Sequence, residues 1–275
     1  MNSKEVKMKA KEILGESKKK LVLITFLSLV IPSIPTFILN ATGLSLTVPI
    51  LALIVALAVL VVQRGFIYAV TKTYVARKNG EENFENFGFI SEGFSDLKRA
   101  WALSFRLLPK YIVPILCYIV TVVFSIVSLL GSGEMFFGKV TGIVNIVLYI
   151  VTFALIIRTT YTYRYADIEA INNPDLTPKE VIGRTGEVMV GNRMRSFKLD
   201  LSLFLYCFGM GFLGGLLGGL IPLVGSLITN WFVANVQVSL MMAHIVLYDD
   251  ISGSSFDVIP DYMRDRNVEP DPFNY

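Results

Sequence analysis

The chain has 275 residues, 53% of them hydrophobic and 17% charged, and a mean hydropathy of +0.59. Soluble domains carry about 25% charged residues, so the deficit excludes an ordinary soluble domain and points to lipid. One histidine and two isolated cysteines, Cys117 and Cys207, leave too few ligands for a zinc or haem centre without carboxylates. Both cysteines fall inside apolar runs, read as free thiols, and no metal or cofactor is expected.

Residues 1–20 form the first unit. Val6, Ala10, Ile13 and Leu14 share one face of a helix over 3–17, with Lys4, Lys7, Lys9 and Lys11 around it and Lys18, Lys19 and Lys20 behind it. Such a segment lies at a membrane surface and is drawn to anionic headgroups. A solvated helix leading into the first span is an equally ordinary reading.

No charge then occurs over residues 21–63. A signal peptide's apolar region runs to about 7–15 residues, so a retained anchor is expected here. One crossing takes roughly 20 apolar residues, and Asn40-Ala41-Thr42-Gly43 divides the run into spans at about 21–39 and 46–63. Pro32 and Pro35 should kink the first span, because proline removes a backbone donor.

The second helix is expected to continue past Arg64 through Tyr68 and Tyr74 to Arg77, its tyrosines at the interface. Beyond Asn79-Gly80, Phe87, Ile90, Phe94, Leu97, Trp101, Phe105 and Leu108 recur every three or four residues. That spacing predicts an interfacial amphipathic helix over 84–108, with Asp96, Lys98, Arg99 and Arg106 off the stripe and Trp101 at headgroup level. A third span covers about 111–130. Gly131-Ser132-Gly133-Glu134 makes a turn, and a fourth span covers about 140–157. Arg158, Tyr161, Tyr163, Arg164 and Tyr165 then form an aromatic and basic collar, with Arg158 and Arg164 at the headgroups.

A polar excursion follows. Asn172-Asn173-Pro174-Asp175 is a turn, and Thr177-Pro178-Lys179-Glu180 is a helix start. Thr177 and Glu180 can cap each other's amides, and Pro178 fits the first helical position. Val181, Thr185, Val188 and Met189 share one side of that helix, which leads into the fifth span.

The segment 173–182 resembles a signature of a bacterial integral membrane family, the domain of unknown function 975. Arg184-Thr185, residues 188–193, residues 197–202 and the opening Lys9-Ala10-Lys11-Glu12-Ile13-Leu14 are similar to that family as well. The resemblance covers about residues 5–250. It departs at Gly186, where Ser or another good helix former would stand. It implies a fold and a membrane location, and no activity.

Residues 201–248 hold no Asp, Glu, Lys or Arg, and Ile221-Pro222 breaks them into spans at about 201–220 and 226–247. Gly211, Gly215 and Gly219 make two GxxxG steps beside Gly214 and Gly218, small contacts for another helix, more readily one of the same chain. The run from Gly209 to Gly214 literally satisfies GxGxxG, but a nucleotide fingerprint needs a preceding strand and a βαβ unit. Asn230, Gln237 and His244 follow at seven-residue intervals on one helix face, with Asn235 nearby. Such groups mark a substrate or proton route, or they are interhelical hydrogen bonds of about 1 kcal/mol or less. Packing is the more ordinary reading. Asp167, Glu169 and Asp200 would pair with Arg158, Arg164 and Arg195. Residues 249–275 read as a polar tail.

Seven Lys and Arg fall in residues 1–20, eight in 64–110, seven in 158–198 and two in the tail, which leaves only Lys139 for the other side. Basic loops stay cytoplasmic, so six spans with both termini inside are expected. Spans two and four each end in a Tyr/Arg collar followed by an amphipathic helix, a weak internal repeat. The expected fold is an all-α, six-span bundle with cytoplasmic surface helices. No Ser/His/Asp, HExxH or Walker pattern occurs, so no enzyme is expected and no nucleic-acid partner. The expected role is an accessory or scaffold component that engages lipids, partner membrane proteins or a second copy. The alternative is a transporter of a small molecule or lipid using the polar face of span six.

Overall fold

The computed structural model describes residues 1–42, 48–81, 87–130, 135–220 and 225–256. Among them every regular element is helical: α1 (Ser3–Leu14), α2 (Lys18–Ala41), α3 (Pro49–Lys78), α4 (Gly88–Ser95), α5 (Leu97–Leu130), α6 (Met135–Tyr163), α7 (Ala166–Asn172), α8 (Pro178–Val188), α9 (Arg193–Leu220) and α10 (Gly225–Phe256). Six helices are long and apolar enough to cross a membrane: α2 with the segment before it, α3, α5, α6, α9 and α10. The turns at 131–134 and 221–224, the link at 43–47 and the tail beyond 256 lie outside the described residues.

The spans pair in chain order, α2 on α3, α5 on α6 and α9 on α10. The last helix is the hub, because α10 also packs on α1, α2 and α3. Half of its most apolar stretch is buried, against 6% for α6. The short α7 and α8 wedge the α5–α6 pair against the rest.

The ends of these helices are built locally. Asn2 opens α1 by accepting from the Glu5 amide at 2.9 Å, and Glu5 accepts in return from the Asn2 amide at 2.9 Å. The box at α8 forms in the same way. The Thr177 amide donates to Glu180 at 2.7 Å and the Thr177 hydroxyl accepts from the Glu180 amide at 3.4 Å. The Thr177 amide, and after it the Thr177 hydroxyl that donates to the same carboxylate at 2.8 Å, hold the Glu180 carboxyl below its usual range. Val181, Thr185, Val188 and Met189 are all buried, on the side their spacing predicts. Gly191, at φ +79°, turns the chain between α8 and α9.

Four expectations are corrected. First, α1 does not lay its apolar face on a lipid surface: Val6, Ala10 and Leu14 are buried in the core that α1 forms with α10. Second, no separate helix covers 84–108. The chain forms α4 and then one continuous α5 that passes through Pro109 and Pro114. Within α5 the small Ala100 is buried, together with Leu103, whereas Phe105 and Leu108 face outward with Phe94 of α4. In lipid, small residues bring helices together and large apolar ones need no cover. Third, Tyr68 and Tyr74 lie in the core and not at an interface; Tyr74 is hydrogen-bonded to Thr25 of α2. Fourth, the tail begins later than residue 249. α10 continues to Phe256, buries Ile251, and places Asp249 on Lys78 and Asp250 on Arg195.

Among the described glycines the closest approach to another helix is that of α3 to α4. A methyl group built on Gly65 would lie 2.4 Å from the Gly93 carbonyl oxygen and 2.9 Å from Leu97 Cδ1. Gly65→Ala is therefore expected to cost about 1–3 kcal/mol, the range for overpacked cores. Gly142→Ala, with nothing within 4 Å and inside α6, should lose no stability and can gain up to about 1 kcal/mol of helix propensity. Thermal unfolding of the purified protein in detergent compares the two.

Candidate functional site

The end of α6, the short α7 and the start of α9 converge on the C-terminal half of α10. His244 is 2% exposed there, and both ring nitrogens are engaged. A carboxylate can only accept, so Nε2 donates to Asp200 Oδ1 at 2.7 Å. In the neutral ring Nδ1 then accepts from the Tyr165 hydroxyl at 2.8 Å, which also meets the Ser196 hydroxyl at 2.8 Å. The second Asp200 oxygen accepts from the Tyr161 hydroxyl at 2.6 Å and from the Arg164 guanidinium.

A second set is joined to the first through rings. Tyr165 stacks on Tyr248 with centroids 4.9 Å apart, and the Tyr248 hydroxyl donates to Glu169 at 2.8 Å. The other Glu169 oxygen lies 2.7 Å from Arg184 Nε and accepts from the Asn173 amide at 3.0 Å. Close by, Arg64 of α3 holds both oxygens of Asp167, at 2.9 and 2.6 Å, and donates to Ser104 at 2.7 Å. A two-pronged pair of this kind fixes orientation as well as charge.

A cavity of about 200 Å³ opens beside these groups, lined among others by Thr71, Arg164, Asp167, Gln237 and His244. It is smaller than the ~300–1,000 Å³ of most ligand pockets. Its Arg164, Tyr165, Asp167 and His244 are each engaged by a neighbouring side chain, and the arrangement can hold protons and charges in place within the bundle.

Of the polar face expected on span six, Gln237 and His244 meet at this cavity; Asn230 is not among its lining residues. The Asn235 amide returns to the Trp231 carbonyl of its own helix at 3.0 Å. Arg164 turns inward to Asp200 and not to a headgroup. Trp101 donates its indole N–H to the Val61 carbonyl at 3.2 Å. Arg158 and Lys19 are exposed, and Lys18 is half-buried. Asp167 pairs with Arg64, and Arg195 pairs with Asp250.

The two glycine rows separate. Gly214 meets Phe232 of α10, whose Cβ lies 3.2 Å from where a methyl group would sit, and its carbonyl accepts from Thr229 at 3.0 Å. Gly211 and Gly215 face open space. The surroundings of Gly218 and Gly219 lie outside the described residues.

Three features escaped the sequence reading. Arg64 was a lone charge inside an apolar helix, a signal for a buried acidic partner. Arg99 donates to the carbonyls of Ala170 and Asn173 at 3.1 Å, of Leu176 at 3.3 Å and of Pro174, so it caps the end of α7. Between α5 and α6, Thr121 bonds Thr152 at 3.0 Å and Ser125 bonds Asn145 at 2.9 Å. Hydroxyls in apolar spans were the available sign.

Residues 1–256 match the family described as Protein of unknown function (DUF975). No curated protein and no solved structure matches the chain.

These contacts rank the polar residues of α10. His244→Phe strands Tyr165 and Asp200 and is expected to cost roughly 2 kcal/mol, the penalty for buried groups left unpaired. Asn230→Leu and Gln237→Leu should stay within about 0.5 kcal/mol. Unfolding in detergent measures all three, and equal losses would refute the ranking.

Proposed function

The chain belongs to the DUF975 family, and we propose that it is a non-catalytic, multi-pass component of the cytoplasmic membrane. In this reading it acts as an accessory or scaffold protein that engages lipids or partner membrane proteins. Both termini face the cytoplasm, as the distribution of Lys and Arg favours. One observation carries the reading: the charged groups at the convergence of spans are occupied by each other. Asp200 is held by three side chains, Glu169 by three, and Asp167 by Arg64. Groups so satisfied stiffen a protein and are not offered to a passing substrate.

The surface supports the same reading. Gly211 and Gly215 leave a shallow strip on the open side of α9, where a neighbouring helix can approach closely. A second reading, transport, draws on the small cavity that Gln237 and His244 share.

Mild crosslinking in cells, extraction in native lipid particles and mass spectrometry separate the two. The accessory reading expects a stoichiometric protein partner. A protein recovered alone with an enriched metabolite would favour transport. Gly215→Leu is expected to abolish partner recovery while the chain still folds, whereas replacing Asn230, Gln237 and His244 together should leave recovery intact in whatever fraction folds. The reverse pattern would overturn the proposal.

A further inference from the structure

The widest of the described clefts lies away from the polar cluster. Its volume is about 590 Å³, and Arg106, Lys110, Lys179, Tyr163, Gly183 and Gly186 are among its lining residues. That volume falls within the ~300–1,000 Å³ of ligand pockets. Arg106 and Lys110 stand one helical turn apart on α5 and project from the same side. Neither forms an ion pair among the described residues, although most charged residues around the polar cluster do. Among the described residues no carboxylate lines the cleft.

The opposite wall breaks a local rule. α8 has only 11 residues, yet it carries Gly183 and Gly186, each about 1 kcal/mol worse than Ala in a helix. Neither is demanded by close packing. A methyl group on Gly183 would meet nothing within 4 Å, and one on Gly186 would only touch the Tyr163 ring at 3.5 Å. Neither has a positive φ. Three residues apart, both open onto the cleft, and their missing side chains are what leaves it room. Local rules are broken most often where a site needs it.

The surroundings narrow the ligand. Pro109 and Ile182 add apolar wall, and Leu108 and Ile112 beside the cleft are exposed on a helix long enough to span a membrane. We propose that this cleft binds a phosphate-bearing anion, and that its occupant is the headgroup of an anionic phospholipid whose chains lie along α5. Arg106 and Lys110 hold the phosphate, Lys179 adds positive charge, and Gly183 keeps the space open. The inference goes beyond the accessory reading and does not require a protein partner.

The test uses the full chain, purified in neutral detergent, with native mass spectrometry and thermal shift as readouts. One arm adds short-chain phosphatidylglycerol, and the other adds inorganic pyrophosphate. Phosphatidylglycerol is expected to bind saturably, one per chain. Arg106→Gln with Lys110→Gln should weaken it roughly tenfold. Gly183→Leu keeps every charge and improves helix propensity, so it should weaken binding as much without lowering the melting temperature. The charge-matched control Lys4→Gln with Lys198→Gln, both at exposed positions, should bind as the parent does. Equal weakening by the control, or full binding by Gly183→Leu, would show mere attraction to a basic surface and overturn the site. Pyrophosphate binding with the same mutational pattern, without lipid binding, would overturn the lipid occupant and assign the cleft to a soluble phosphate compound.

Discussion

Residues 242–248 of the last helix are buried on every side, seven in succession. A helix buried all round must find an apolar neighbour for each apolar face and a partner for each polar atom. Two of the seven, His244 and Tyr248, carry such atoms, and their needs reach across the molecule. His244 requires Asp200 at the start of α9 and Tyr165 beyond α6, while Tyr248 requires Glu169 of α7. Glu169 in turn brings in Arg184 of α8. The short helices after span four are thus part of the packing around span six.

Burial is uneven along the spans. The core gathers at the ends where the basic segments lie, from Leu21 and Ile24 of α2 through Phe66 and Tyr74 of α3 to Leu199 of α9. Toward the other ends large apolar side chains stand outward, Ile50 at 71% and Phe212 at 58% exposure. Lipid tails solvate such residues as well as a protein interior does, so no apolar driving force closes those halves. What joins helices there is small or polar: Gly214 under Phe232, and Thr121 on Thr152.

That same fact decides what the sequence could show. The helices were legible because length, apolar content and caps are local properties, and the Thr177–Glu180 box formed as read. Their facing was harder to read, because in a membrane an apolar stripe such as Phe94, Phe105 and Leu108 can mark the lipid side. Tyr68 and Tyr74 looked like interfacial residues, yet they are buried where α3 meets its neighbours. The site was legible in part. His244 and Gln237 were placed on one face, and Asp200 was seen as a partner for arginine. Pairing Arg64 with Asp167, more than a hundred residues apart, needs the tertiary arrangement, as does the link from His244 to Tyr165.

The central claim is that the Asp200–His244 contact ties span five to span six. A double-mutant cycle measures it directly: Asp200→Asn, His244→Phe and the double variant, each unfolded in detergent, yield the coupling free energy between the two side chains. The account predicts a favourable coupling of about 1 kcal/mol or more. Strictly additive losses would show that the two residues act separately and would contradict it.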